Sequence, residues 1–105
     1  DLTVDRGVAA LIEGRAIAVF ALPDGTLAAI DNLDPCSGAS VLSRGLVGEI
    51  KGSFTVASPM YKHRFDLRTG RCLDADGAGV AVHRAAVVDG MVVVELDSSR
   101  HGVPR

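Results

Sequence analysis

Twelve glycines are scattered through the 105 residues of this chain, and they leave only short apolar runs between them. An ordinary helix needs about 11–12 residues, so a long one has little room here, whereas strands of 5–6 residues fit easily. The apolar run Ala16-Ile17-Ala18-Val19-Phe20-Ala21-Leu22 is followed by Pro23-Asp24-Gly25 and then by Thr26-Leu27-Ala28-Ala29-Ile30. Two such runs around a turn whose glycine supplies positive φ predict a β-hairpin. Ala85-Ala86-Val87-Val88, Asp89-Gly90 and Met91-Val92-Val93-Val94-Glu95-Leu96 repeat the device and form the strongest hairpin signal in the sequence. Shorter strand candidates lie at residues 8–12, 54–57, 64–67 and 80–83. The Ala-rich segment 8–13 reads either as a strand or as one helical turn. Short strands at regular spacing point to an all-β fold, a sandwich or small barrel. The length fits one domain over residues 1–105, with the polar segment 97–105 read as a frayed tail.

Hydrophobic residues make up 48% of the chain but aromatics only 4%, so the core must be built from Val, Ala, Leu and Ile. A net charge of −2 offers no electrostatic footprint for nucleic acid or for an anionic membrane surface. No apolar run approaches the roughly 20 residues of a membrane-spanning helix. Two cysteines, Cys36 and Cys72, are too few for the disulfide framework of a small secreted domain, which points to a cytoplasmic protein with reduced thiols.

Two segments are longer and more polar than hairpin turns: residues 32–45, which include Asp34-Pro35-Cys36-Ser37-Gly38, and residues 57–70, which include Ser58-Pro59-Met60-Tyr61-Lys62-His63-Arg64-Phe65-Asp66. They resemble the paired loops of Rieske iron–sulfur proteins. That family places Cys-x-His in one loop and Cys-Pro-x-His-Gly-x-x-Phe-Asp-x-x-Thr-Gly in the next, two cysteines holding one iron and two histidines the other. Pro59, Phe65, Asp66, Thr69 and Gly70 stand where the pattern has them. The ligands do not: Gly38 and Tyr61 occupy the histidine positions, Ser58 the second cysteine position, and Lys62 the following glycine. Only Cys36 is retained.

This loss of ligands resembles the small-subunit family of cytoplasmic NAD(P)H-dependent nitrite reductases. The runs Gly7-Val8-Ala9-Ala10-Leu11, Val41-Leu42-Ser43-Arg44-Gly45, Ala57-Ser58-Pro59-Met60-Tyr61-Lys62 and Arg68-Thr69-Gly70-Arg71-Cys72-Leu73 carry the similarity. The resemblance implies a Rieske-like antiparallel β-sandwich with a small loop-bearing subdomain. It implies no catalytic residue, no metal and no cofactor on this chain. The partner it implies is a large catalytic subunit carrying FAD, an iron–sulfur cluster and sirohaem, which reduces nitrite to ammonium in nitrate assimilation. The alternatives are a Rieske-type electron-transfer ferredoxin and a β-rich interaction subunit of another redox complex.

Other residues carry weaker signals. Cys36 and Cys72 lack the paired spacing of a zinc site and read as free thiols. His63, His83 and His101 have no nucleophile or orienting partner in a recognisable pattern, and His83 reads as an ordinary strand-edge residue. Gly77-Ala78-Gly79 precedes a strand rather than a helix, which excludes a dinucleotide loop. Arg44, Lys62, His63, Arg64 and Arg68 form a basic cluster that reads as a candidate partner interface if the two loops pack together. The Tyr61 ring is expected to fill the vacated site between the loops, with its hydroxyl hydrogen-bonded.

Overall fold

The computed structural model describes residue 4 and residues 6–96, and its strands are β1 (Gly7–Ile12), β2 (Arg15–Ala21), β3 (Leu27–Asp31), β4 (Leu46–Ile50), β5 (Ser53–Ala57), β6 (Arg64–Asp66), β7 (Val82–Val88) and β8 (Met91–Glu95). Local turn chemistry explains most of their connections. Glu13-Gly14, Lys51-Gly52 and Asp89-Gly90 each place both residues at positive φ, near 50° for the first and 80–85° (79° in Gly90) for the glycine. These are two-residue turns whose twist matches paired antiparallel strands. The β2–β3 connection is longer. There the Leu22 amide donates to the Thr26 carbonyl at 2.8 Å, and Asp24 Oδ1 accepts from the Thr26 amide at 2.9 Å.

The strands form a five-stranded sheet in the order β1-β2-β3-β7-β8 and a three-stranded sheet in the order β4-β5-β6, with every strand pair antiparallel. The all-β expectation holds, and segment 8–12 is strand rather than helical turn. Two details differ from the sequence reading. The candidates at 80–83 and 85–88 are one strand beginning at Val82. β4 was not foreseen, because Gly48 and Glu49 break its apolar run. The segment 97–105, read as a tail, and His101 lie outside the described residues.

β2 explains the core. Ala18 and Phe20, with Leu22, Ala28 and Ile30, pack against Leu42, Val56, Phe65, Leu67 and Cys72 between the two sheets. Ile17, Val19 and Ala29 face the other way and are covered by Ile12, Ala85, Val94 and Leu96, because the larger sheet curls over itself. A strand covered on both faces reads as an unbroken apolar run, which is what residues 16–22 are. Each large side chain so buried contributes about 1.5–3 kcal/mol.

His83 is a correction. It is buried rather than at a free edge, with Nε2 2.9 Å from Asp31 Oδ1, and Arg15 Nη2 donates to both Asp31 oxygens at 2.9 Å. Asp31 ends β3, so this network anchors the point where the first polar loop leaves the sheet. The second loop hangs from the same end of the small sheet, between Ala57 and Arg64, which pair across β5 and β6. A 3₁₀ turn at Leu42–Arg44 closes the first loop. Its following residue, Gly45, runs so close to β5 that an added Cβ would overlap the Ala57 carbonyl oxygen.

Candidate functional site

Each polar loop is first tied to itself. In the first, the Asp34 amide donates to the Ala39 carbonyl at 2.8 Å and the Gly38 amide donates to the Asp34 carbonyl at 2.8 Å. The Asn32 side chain holds the two ends, donating to the Ser40 carbonyl at 3.2 Å and accepting from the Ser43 amide at 2.7 Å. In the second, the Ser58 amide donates to the His63 carbonyl at 2.8 Å and the Lys62 amide to the Ser58 carbonyl at 3.0 Å.

One buried bond then ties the loops to each other. The Ser58 hydroxyl donates to Asp34 Oδ2 at 2.5 Å, and both residues are wholly inaccessible. Asp34 Oδ1 accepts from the Cys36 amide at 2.8 Å. Burial pushes the Asp34 carboxyl up, but the hydrogen bonds from Ser58, Cys36 and Ser37 outweigh it and leave the group below its ordinary value. The carboxylate is therefore ionised at neutral pH, and its bond to Ser58 is charge-assisted. Asp34 carries only a weak signal of this role in the sequence. That signal is an Asp before a turn, a residue that bonds backbone amides two positions on.

The four positions where the Rieske pattern has ligands do not fit a [2Fe–2S] cluster. The Ser58 hydroxyl is spent on Asp34. Gly38 has no side chain and sits at φ 78°, a conformation that a histidine would adopt only with strain. The half-buried Cys36 thiol is pushed up by burial and by the nearby Asp34 charge, away from the thiolate that binds metal. Among the described residues no group of three or more His, Cys, Asp or Glu side chains is placed to hold a metal ion.

Tyr61 is a clear correction. Its side chain does not fill the space between the loops but is 59% exposed, beside Met60 at 49%. The gap it was expected to fill is spanned by the shorter Asp34–Ser58 pair. Tyr61 instead leans on His63, the ring centroids 6.3 Å apart and the planes 87° to each other. Beneath it, His63 Nδ1 is buried with no hydrogen-bond partner. Lys62, at the position where the Rieske pattern has glycine, has a left-handed backbone at φ 63°.

The basic cluster is only partly assembled. Arg44 ends the 3₁₀ turn beside Ala57 and, with Lys62, lies exposed at the loop end of the molecule. Arg64 is there too, but Asp74 engages it: Oδ1 accepts from Nη2 at 2.7 Å and Oδ2 from Nε at 3.0 Å. Those bonds lower Asp74 to about 2. Arg68 is not at the tip. It lies at the opposite end of β5, bordering a groove with Lys51, Ser53 and Asp24.

A curled antiparallel sheet with a three-stranded subdomain and two interlocked loops defines a class, and residues 1–95 match the Rieske-like [2Fe-2S] domain family, to which the chain belongs. Within that class it groups with small subunits of nitrite reductase. It is 42% identical over 93 residues to the NADH nitrite reductase small subunit of Salmonella typhimurium, covering 88% of this chain and 86% of that one. It superposes on the solution structure of the Escherichia coli protein NirD with a TM-score of 0.80 at 39% identity, covering 90% and 86% of the two chains. It is also 43% identical over 88 residues to part of the NAD(P)H nitrite reductase large subunit of Klebsiella oxytoca, covering 84% of this chain but 9% of that protein. No helix among the described residues is long and apolar enough to cross a membrane.

Proposed function

We propose that this chain is the non-catalytic, cluster-less small subunit of a cytoplasmic NAD(P)H-dependent nitrite reductase that serves nitrate assimilation. Its partner is the large subunit, which carries FAD, an iron–sulfur cluster and sirohaem and reduces nitrite to ammonium. The observation that carries the cluster-less reading is the Asp34–Ser58 bond. It uses the hydroxyl at a ligand position to join the two loops, the mechanical task a cluster performs in a Rieske protein. The relative within the Klebsiella large subunit supports the partnership, since there a homologous domain belongs to the large chain itself.

In this role the chain moves no electron and no proton. Its work is to bind, and so to shape or stabilise the subunit that does the chemistry. The test is to purify the large subunit with and without this chain and to follow nitrite-dependent NAD(P)H oxidation. Co-purification, with more active or longer-lived enzyme than the large subunit alone, is the expected result. A chain that fails to bind, or that carries near-stoichiometric iron and acid-labile sulfide, overturns the reading.

A further inference from the structure

The Asp34–Ser58 bond has a consequence for the surface above it. Because Asp34 and Ser58 turn inward, their neighbours turn out: Leu33 is 47% exposed, Met60 49% and Tyr61 59%, and Pro35 and Pro59 are exposed beside them. Two loops that are distant in sequence thus each expose apolar side chains beside the buried polar bond that joins them. A surface patch of large apolar side chains on a small protein marks an interaction site.

The charges around this patch have one sign where they are unengaged. Neither Arg44 nor Lys62 takes part in an ion pair among the described residues, whereas Arg64 is held by Asp74. Lys62 also keeps a left-handed backbone that L-residues adopt at a cost of about 1–2 kcal/mol.

We infer that the large subunit binds this chain through the Leu33–Met60–Tyr61 patch as an apolar anchor, with Arg44 and Lys62 forming a cationic rim. The inference rests on the small-subunit reading above and changes its emphasis. The partner face is an apolar socket bordered by carboxylates, and the apolar centre rather than the basic residues holds the complex. Aromatic residues at the centre of an interface carry most of its binding energy, and rim charges little. Tyr61 is suited to the part because its exposed ring already rests edge-on against His63, which lowers the rotamer freedom to be lost on binding.

A second exposed apolar surface competes for the role. Val87, Val88, Met91, Val92 and Val93 are all more than 40% exposed on the β7–β8 hairpin. That hairpin pairs with the rest of its sheet at Ile30–Val82 and Ala29–His83 and packs on it through Ala85 and Val94, but among the described residues no strand pairs with its far end. The tip is held by the buried bond and by the turns within each loop, and preorganisation favours it.

The experiment measures affinity between this full chain and the large-subunit holoenzyme. Tyr61→Ala is expected to weaken binding by about 30-fold or more, and Met60→Glu by at least as much. Lys62→Ala should cost only about two- to fivefold, and affinity should change less than about fivefold between low and high salt. Met91→Glu, on the hairpin, should bind like the parent. Thermal melts check folding, and all four side chains are exposed. If Tyr61→Ala and Met60→Glu bind within about threefold of a parent that does bind, the anchor is refuted while the small-subunit reading stands. Loss of binding in Met91→Glu alone moves the interface to the hairpin. If the parent does not bind at all, both readings fall together.

Discussion

Replacing Ser58 by alanine tests the bond on which the site is built. The substitution removes a hydroxyl 2.5 Å from a fully buried carboxylate and leaves Asp34 the Cys36 amide and Ser37. A hydrogen bond to a charged group contributes about 1.5–3 kcal/mol, and the removal leaves a desolvated acceptor under-satisfied. The Met60 amide also loses its 3.2 Å acceptor, but the exposed Met60 segment lets water replace it at little cost. A destabilisation of about 2–3 kcal/mol follows, a sizeable part of the roughly 5–15 kcal/mol of a typical domain. At about 4–8 °C per kcal/mol the melting temperature falls by about 8–24 °C, and urea unfolding at neutral pH gives the free energy directly. The pH dependence has a definite sign. The Asp34 carboxyl is lowered on folding from its ordinary 3.8, so its contribution is complete above that value and is lost as pH falls through the lower folded one. The gap between parent and Ser58→Ala should therefore be widest at neutral pH and close in strong acid. A loss below about 0.5 kcal/mol, or a gap that persists unchanged into strong acid, refutes the reasoning.

Four further outcomes follow from the same structure. Gly70→Ala should unfold the chain or cost more than about 3 kcal/mol in urea, because Gly70 sits at φ 79° and an added Cβ would overlap the Val80 carbonyl oxygen. Lys62→Gly should gain about 0.5–1 kcal/mol in the same assay by relieving the left-handed backbone, while weakening capture by the large subunit. In an NMR titration the Asp74 carboxyl should show a midpoint near 2, moving back toward 3.8 in Arg64→Gln, since the Arg64 bonds cause its shift. Anaerobic incubation with iron and sulfide should leave the parent colourless, and Gly38→His with Ser58→Cys should not suffice to hold a cluster, because Tyr61 still occupies the fourth position and supplies no imidazole.

Much of this was legible in the chain because its causes are local. Pro23-Asp24-Gly25 and Asp89-Gly90 announce their hairpins through the positive φ that only glycine adopts freely. The unbroken run at 16–22 announces a strand buried on both faces. The matches at Pro59, Phe65, Asp66, Thr69 and Gly70 locate the loops, and the residues at 38, 58 and 61 show by their chemistry alone that three ligand positions lack thiol and imidazole. β4 was missed for an equally local reason: its buried and exposed positions do not alternate cleanly, and Gly48 weakens the strand signal.

The sequence by itself determined the fold class and the family, and it puts Gly38, Ser58 and Tyr61 where the Rieske pattern has ligands, all of which depends on residue type and near spacing. Only the tertiary structure decided what those loops do instead. Asp34 and Ser58 are 24 residues apart, and nothing in either segment indicates that one will donate to the other. The charges separate in the same way: Arg64 and Arg68 are close in sequence, yet β6 carries one to the loop end, where Asp74 holds it, and the other to the far end of the sheet. Tyr61 was expected inward because a large ring suits an empty site, but a carboxylate and a hydroxyl reached across first, and the ring was left outside. Burial is a property of the whole packing, since the same side chain is core or surface according to which distant residue closes the space beside it.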